Sequence, residues 1–577
     1  MNRFSQFFIK PLCKKAATDR ELQAIEDEFA SANHNDFSRL EGLMAFTSHP
    51  LHVLHKFSWG NIKSLKTEPE QNGIDPHEHL FRLFESLYSS DRMHVVARAS
   101  YNLQQLEDMM VPIFNRIPRR NTSSYTVKTL ELSRNMSPFV FSVETYGNGF
   151  RLPTPCIYRV KPVKTRSVLN ASWAIPSSEI MLQASRCVNH KPDEYVAHLL
   201  GHEASGSLLS ELKRRGWATD LCAGISDEGF ERNSCCAIFS VNVTVTNSGL
   251  ENWHTLVDLL FAYIGVVRTS GPPVSVFEEI RKMSILSYRF QEDEDPREHV
   301  ERLSAIMAQQ YQGHKILPGP FLVEAFDVDS VRMLLNCLSP EKIRVDLMHP
   351  SFHASSDDKH GTEQDVDVTS VSSSDNDDGS DVKKDGGKVE FVPVQVPFLR
   401  EEPEVLAEPY FGCIYSTETV PQYVVEQWRE TLDNDAMHKE VEGLSSSRSR
   451  NYENIFLPQI NPYVPDNLEV QYIDSAAKDL RIRVQDFLFR LCKQSDEMQT
   501  PPSISPDFIS GCCLHPSVIA VDHDPQNTEI QLWHHRDTRY LIPKSFVTIR
   551  FICPMLFEDS KYYVYASLWV DLVLDGK

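Results

Sequence analysis

The stretch HLLGHEASGSLLSELKRRGW, residues 198–217, decides how this chain is read. It holds two helical patterns. The first carries His198 and His202, four residues apart and so on one face of a helix. The second runs from Gly206 to Trp217 and ends on Lys213, Arg214 and Arg215, with Gly216 just beyond. Cations in a last turn complement the helix dipole, and a glycine past it takes the left-handed cap. Two histidines at this spacing suit a pair of zinc ligands. Gly201, however, stands where a water-activating carboxylate would be needed, and Glu203 lies roughly 100° further round the helix. A catalytic role is not expected here; structural or substrate-facing histidines are the favoured reading.

Strand patterns lie on both sides. Cys156–Val160 and Ser167–Ile175 precede the stretch, and Cys235–Thr246 alternates after it. The apolar run Leu256–Val267 is too short to span a bilayer and contains Asp258, so it reads as a buried helix. Phe277, Ile280, Met283, Leu286 and Phe290 recur at helical spacing until Asp295–Pro296 stops the pattern, and a further helix is expected over Glu298–Tyr311. The unit closes near Val345–Leu347. This mixture predicts an α+β fold.

Upstream, Met1 to about Pro118 is mostly helical in pattern, with a strand-like Met93–Ala99 and a helix over Leu103–Phe114. Within DRELQAIEDE, residues 19–28, Glu21 and Glu28 are seven apart and share a helix face. Taken alone, that face is a solvated acidic surface. His49, His52 and His55 are interrupted by Pro50 and predict a surface loop.

Downstream, Ser355–Lys388 is acidic, rich in Ser and Gly and nearly free of aromatics, which predicts disorder and easy proteolysis. Tyr410–Tyr415 and Val424–Trp428 resume ordered patterns. Gln531–Trp533, Tyr540–Lys544 and Val547–Ile552 are strand-like, His534–Asp537 reads as a turn, and Tyr563–Leu574 as the start of a helix.

At 577 residues the chain has room for roughly three or four domains. Hydrophobic residues at 41% and charged residues at 24% are ordinary for a folded protein. A formal charge of −22 argues against nucleic acid as a partner and favours basic ones, although part of the excess sits in the one acidic stretch. The N-terminus has no signal-peptide pattern. The 12 cysteines form no C-x-x-C and no even framework, so reduced thiols in the cytoplasm are expected, with no membrane partner.

Taken in order, MNRFSQFFIKPL (1–12), residues 19–28, His49-Pro50, KFSWGN (56–61) and above all HLLGHEASGSLLSELKRRGW resemble the insulysin and nardilysin group of pitrilysin-like inverzincin metallopeptidases. The resemblance covers most of the chain outside about 355–402 and 432–454. It implies repeated LuxS/pitrilysin-like domains: residues 1–130 as the C-terminal half of a catalytic domain, 150–350 as a second, non-catalytic, substrate-binding domain, 351–470 as a linker with an acidic insertion at 355–390, and 471–577 as the start of a truncated third domain. It implies zinc as cofactor, Glu28 as the third zinc ligand and Glu21 as the carboxylate behind a ligand. The family's H-x-x-E-H, which supplies the other two ligands and the base, occurs nowhere in residues 1–577. One carboxylate cannot hold a catalytic zinc, which needs about three protein ligands and an open position.

In the family's second domain an exposed strand pairs with the N-terminal segment of a peptide substrate. Leu221, Cys222, Ala223, Gly224 and Ile225 match that strand here, with His198 and His202 beside it. Main-chain pairing needs an open edge and small side chains, which Ala223 and Gly224 provide; the residues alone fit an interior strand as well. Ala204-Ser205 stand where the family has Gly-Pro, which alters the adjoining loop. The resemblance therefore implies a zinc metalloendopeptidase acting on peptides, inactive as this fragment. The competing readings are a non-catalytic peptide-binding scaffold and one half of a split peptidase whose partner chain brings the zinc motif.

Overall fold

Strand β2 (Val168–Pro176) sets the architecture, because its side chains divide between two buried layers. Leu169, Ala171, Trp173 and Ile175 enter one core, while Val168 enters another and Asn170 and Ser172 are buried polar groups on that second side. Successive strand residues face opposite ways, so a strand buried on both faces is central in its sheet. The structure, a computed structural model, describes residues 1–120, 155–176, 190–353 apart from 227–228, 234–235, 309–310 and 312, and 396–433 apart from 398 and 401–402. Farther on it describes 452, 454–459, 461, 464–465, 517–523, 529–534 and parts of 561–568. Two compact units result, residues 1–460 and 461–577.

The first unit holds a seven-stranded sheet of β1 (Cys156–Val160), β2, β3 (Ala218–Gly224), β4 (Cys236–Val245), β5 (Arg344–Met348), β6 (Leu406–Ala407) and β7 (Ile414–Thr419), in the order β3-β4-β2-β5-β1-β7-β6. The β1–β5 pairing is parallel and the other ladders are antiparallel.

Helices cover one face: α7 (Pro192–Leu200), α8 (Leu208–Arg214), α9 (Asn247–Glu251), α10 (Trp253–Ser270), α11 (Val274–Arg289), α13 (Val328–Cys337) and α14 (Gln422–Asp433) all contribute to the larger core, with α12 (Pro296–Ala308) following α11. The expected buried helix is α10. Its residues from Leu256 to Val267 are all buried, Asp258 included, and each fully buried Leu, Ile or Phe contributes about 1.5–3 kcal/mol. The stop written into residues 213–217 also forms: Gly216 (φ +70) donates to Lys213 O at 2.9 Å and Trp217 N to Leu212 O at 2.9 Å. These two bonds are a Schellman cap.

The other face is covered by the N-terminal segment. This comprises α1 (Asn2–Ile9), α2 (Lys15–Ala32), α3 (Asp36–Phe46), α4 (Glu68–Gln71), α5 (Pro76–Leu87) and α6 (Leu103–Phe114). Asn35 caps α3 by accepting from Phe37 N at 2.9 Å. Leu40, Leu43, Met44 and Leu54 then pack on Tyr158, Val160, Val168, Ile238, Met348 and Tyr415. Asp36 fastens the start of α3 to the β1–β2 connection by accepting from Val163 N at 2.7 Å and Lys164 N at 3.0 Å.

Several sequence expectations are corrected. Residues 93–99 form no strand with the described residues; Met93 is extended (φ −111, ψ 139), yet a strand exists only by pairing with another, and this stretch joins no ladder among the described residues. His49 and His52 are not on a surface loop: both are buried, at 1% exposure, in turns that follow α3. Their Nδ1 atoms accept from Leu51 N and Leu54 N, each at 3.2 Å, which lets imidazole enter an apolar layer. The helix expected through Glu203 ends at Leu200; of the one expected over Glu298–Tyr311, the described helix is Pro296–Ala308, Tyr311 is not helical, and 309–310 lie outside the described residues.

In the second unit β8 (Ser517–His523) and β9 (Glu529–His534) form an antiparallel ladder. His534 therefore lies in a strand, and 535–537 of the expected turn lie outside the described residues. Helical backbone is present at 561–562 and 564–566. The acidic stretch 355–388 and the strand-like 540–552 lie outside the described residues.

Candidate functional site

Strand β3 is an edge. It pairs with β4 on one side, from Ala218↔Val245 to Gly224↔Ser240, and no strand of the described residues lies on its other side. Its residues explain how an edge is kept short and open. Leu221 is buried in the helix-side core, Cys222 is exposed, and Ala223 and Gly224 are half-buried. A bulge between Ala218 and Asp220 shifts the register at the start. Gly224 sits at φ +143, and a Cβ there would come 3.2 Å from Ala197 Cβ on α7. Glycine is thus required at the point where helix and strand approach. Ile225, beyond the strand end, packs half-buried against the same core.

The end of α7 lies against this strand. A Cβ on Gly201 would meet Ala197 O of α7 itself at 3.1 Å and make ordinary contact with Ala223 N at 3.8 Å. Because α7 stops at Leu200, His202 and Glu203 are on a turn, not on the helix face expected for them. The turn still brings the histidines together: the rings of His198 and His202 are edge to face at 5.6 Å. Beside them is Glu279 of α11, 6% exposed, with Oε1 3.8 Å from His198 Nε2. Burial holds both imidazoles below their usual range; Glu279 opposes this for each, Glu203 opposes it for His202, and His202 adds to it for His198. Arg232, on the loop after β3, pairs with Asp193 of α7 and ties that loop to the helix. Glu279 was not legible in the sequence, standing 81 residues from His198 without any motif.

The carboxylates of α2 are placed differently. Glu21 and Glu28 are both exposed. Between them, Glu26 accepts from Ile62 N at 2.6 Å. Burial of Phe29 against Phe411 (ring centroids 4.8 Å) and Phe57 (5.7 Å) fixes the helix rotation. No group of three or more His, Cys, Asp or Glu side chains among the described residues is arranged to hold a metal. With Glu28 the lone candidate ligand from the sequence and no H-x-x-E-H in residues 1–577, the residues present do not fit a catalytic zinc. No helix among the described residues is long and apolar enough to cross a membrane.

Comparison with known proteins places this geometry. The model of the peptidase M16 inactive domain matches residues 76–284, and that of the middle or third domain of peptidase M16 matches 288–370 and 394–576. Nardilysin of Rattus norvegicus is 26% identical over 577 aligned positions, covering 99% of this chain and 38% of that protein. A nardilysin-like protein of Arabidopsis thaliana is 27% identical over 478 positions, 82% of this chain and 38% of that one. Insulin-degrading enzyme of Bos taurus is 25% identical over 578 positions, 100% of this chain and 43% of that one. The crystal structure of pitrilysin superposes with a TM-score of 0.58 at 19% identity, covering 82% of this chain and 40% of that chain, and shares the fold. The chain spans well under half the length of the curated relatives it matches. With both M16 models and relatives along its whole length agreeing, the chain belongs to the M16 peptidase family, as a relative of nardilysin and insulin-degrading enzyme.

Proposed function

We propose that this chain is the peptide-docking portion of an insulysin-like zinc metalloendopeptidase. The edge of β3, from Leu221 to Ile225, adds an extended peptide as a further strand. The observation that carries this reading is that one side of β3, ending in the small residues Ala223 and Gly224, pairs with no strand among the described residues. His198, His202 and Glu279 border the end of the edge, and the carboxylate of Glu279 attracts a peptide's N-terminal ammonium. Residues 1–130 are read as part of a first domain, 150–350 as the docking domain, 351–470 as a linker and 471–577 as the start of a third domain.

Hydrolysis is a separate matter. Glu28 would be one zinc ligand and Glu21 its support, and the H-x-x-E-H would come from other polypeptide, in the same chain or a partner. The second reading, a non-catalytic peptide-binding scaffold, is favoured by the match to an inactive domain and by the lone zinc ligand. The experiment titrates labelled insulin B chain, chosen because one relative degrades insulin, into the full chain, with zinc content and cleavage measured in parallel. Binding with neither zinc nor cleavage supports docking in this chain alone; no binding excludes both readings.

A further inference from the structure

The last residues of the first unit lie on the docking side of the molecule. Within Tyr452–Gln459, Ile455 is buried in the helix-side core and Tyr452 and Leu457 pack at its margin. The Tyr452 hydroxyl donates to the Asp258 carboxylate of α10, which also accepts from Gln427 Nε2 at 3.3 Å. Between these anchors Phe456 is 43% exposed, so core burial does not account for it.

What Phe456 touches is Gly206. Its N–H donates to Gly206 O at 3.0 Å, and its ring lies so close that a Cβ on Gly206 would come 2.4 Å from the ring carbons. Gly206 has φ +89, a conformation that side-chain-bearing residues avoid. It closes the turn that begins at Gly201, beside Ala223 of the edge strand, and that carries His202 and Glu203. Ser207 then caps α8 by accepting from Ser210 N at 3.1 Å. One end of the turn is set by β3 and the other by Phe456.

We propose that Phe456 is a positioning residue for the docking edge: by pinning Gly206 it fixes the turn that presents His202 and Glu203 to a peptide on β3. This rests on the docking reading above. Its consequence is that the segment leading out of the first unit regulates peptide affinity, because displacing residues 452–457 releases the turn.

The test uses the full chain with Phe456→Ala, Phe456→Tyr and Gly206→Ala, the last displacing the ring from the opposite side. Two quantities are read: amide exchange in residues 201–206 and the Kd for labelled insulin B chain. Phe456→Ala and Gly206→Ala are expected to speed exchange in the turn and raise Kd roughly tenfold, with exchange across α10 unchanged, while Phe456→Tyr keeps wild-type values. Wild-type exchange in the turn of Phe456→Ala overturns the role, as does a looser turn with unaltered Kd. A wild-type chain that binds no peptide overturns the docking reading itself, a result distinct from binding that ignores Phe456.

Discussion

Arg344 Nη1 donates to Thr47 Oγ1 at 2.6 Å across 297 residues of sequence, joining the middle of the sheet to the end of α3. Arg344 is fully buried. Its Nε donates to Asp346 Oδ1 at 2.9 Å and its guanidinium lies 3.9 Å from the centre of the Tyr158 ring. Asn170 Nδ2 donates to Asp346 at 3.2 Å, completing a charged knot inside an otherwise apolar layer.

Removing one member of that knot strands the other. Arg344→Met leaves Asp346 buried without its cation and is expected to destabilise the first unit by about 3–5 kcal/mol. Arg344→Met with Asp346→Leu removes both charges and should cost much less, since replacing a whole buried pair by apolar groups is often near neutral. Urea unfolding of the two variants checks the order; equal losses would mean that the pair is not the coupling.

Gly42→Ala sets two effects against each other. Replacing glycine inside a helix gains up to about 1 kcal/mol of propensity. The new methyl would come 2.5 Å from Phe411 Cδ2, and Phe411 is held by Phe29 and Phe57 at ring centroids of 4.8 and 5.9 Å. Overpacking typically costs about 1–3 kcal/mol, so net destabilisation is expected. A raised unfolding midpoint would show that the Phe411 ring yields.

His198 and His202 give the first unit a pH-dependent stability. Burial lowers both, so the folded protein takes up protons there less readily than the unfolded chain. Stability from these two sites is present above the ordinary histidine range, about 6.5, and is lost as pH falls through their lower folded values. The double variant His198→Gln/His202→Gln should therefore lose stability less steeply than wild type between neutral pH and about pH 5. Identical slopes would assign the effect elsewhere, for example to His254 or His349, which burial also lowers.

The chain as given should hold no stoichiometric zinc and cleave no peptide, and Glu28→Gln should leave its stability unchanged. When a polypeptide carrying H-x-x-E-H is supplied, Glu28→Gln should abolish tight zinc binding. Glu21→Gln should cost only about 10–100-fold, as is usual for groups behind a ligand. Metal analysis and a quenched-peptide assay decide it; full zinc in the supplemented Glu28→Gln protein would remove α2 from the zinc site.

Where one face or one local rule decides, the sequence was readable. The run Leu256–Val267 announces α10, the strand pattern of Ser167–Ile175 announces β2, and the cap at Gly216 follows from Lys213-Arg214-Arg215-Gly216. What failed depended on distant partners. Met93–Ala99 has strand composition but pairs with no strand among the described residues, and His49 and His52 are buried in turns next to Leu54, which packs on residues of the sheet. The end of α7 at Leu200 has no marker in the residue pattern that sets it apart from a longer helix, and Glu279 reaches His198 from another helix. The residues of β3 alone fit an interior strand as well, and the edge is read from the resemblance; that no described strand lies on its far side is a property of strand order, which no local pattern contains.

The most direct test is amide exchange across residues 218–225 of the full chain, with and without saturating insulin B chain. Strand addition at β3 predicts protection of alternate amides between Thr219 and Gly224, the ones that face away from β4, with β4 unaltered. Saturable binding that leaves every β3 amide exchanging as in the free chain would contradict the account.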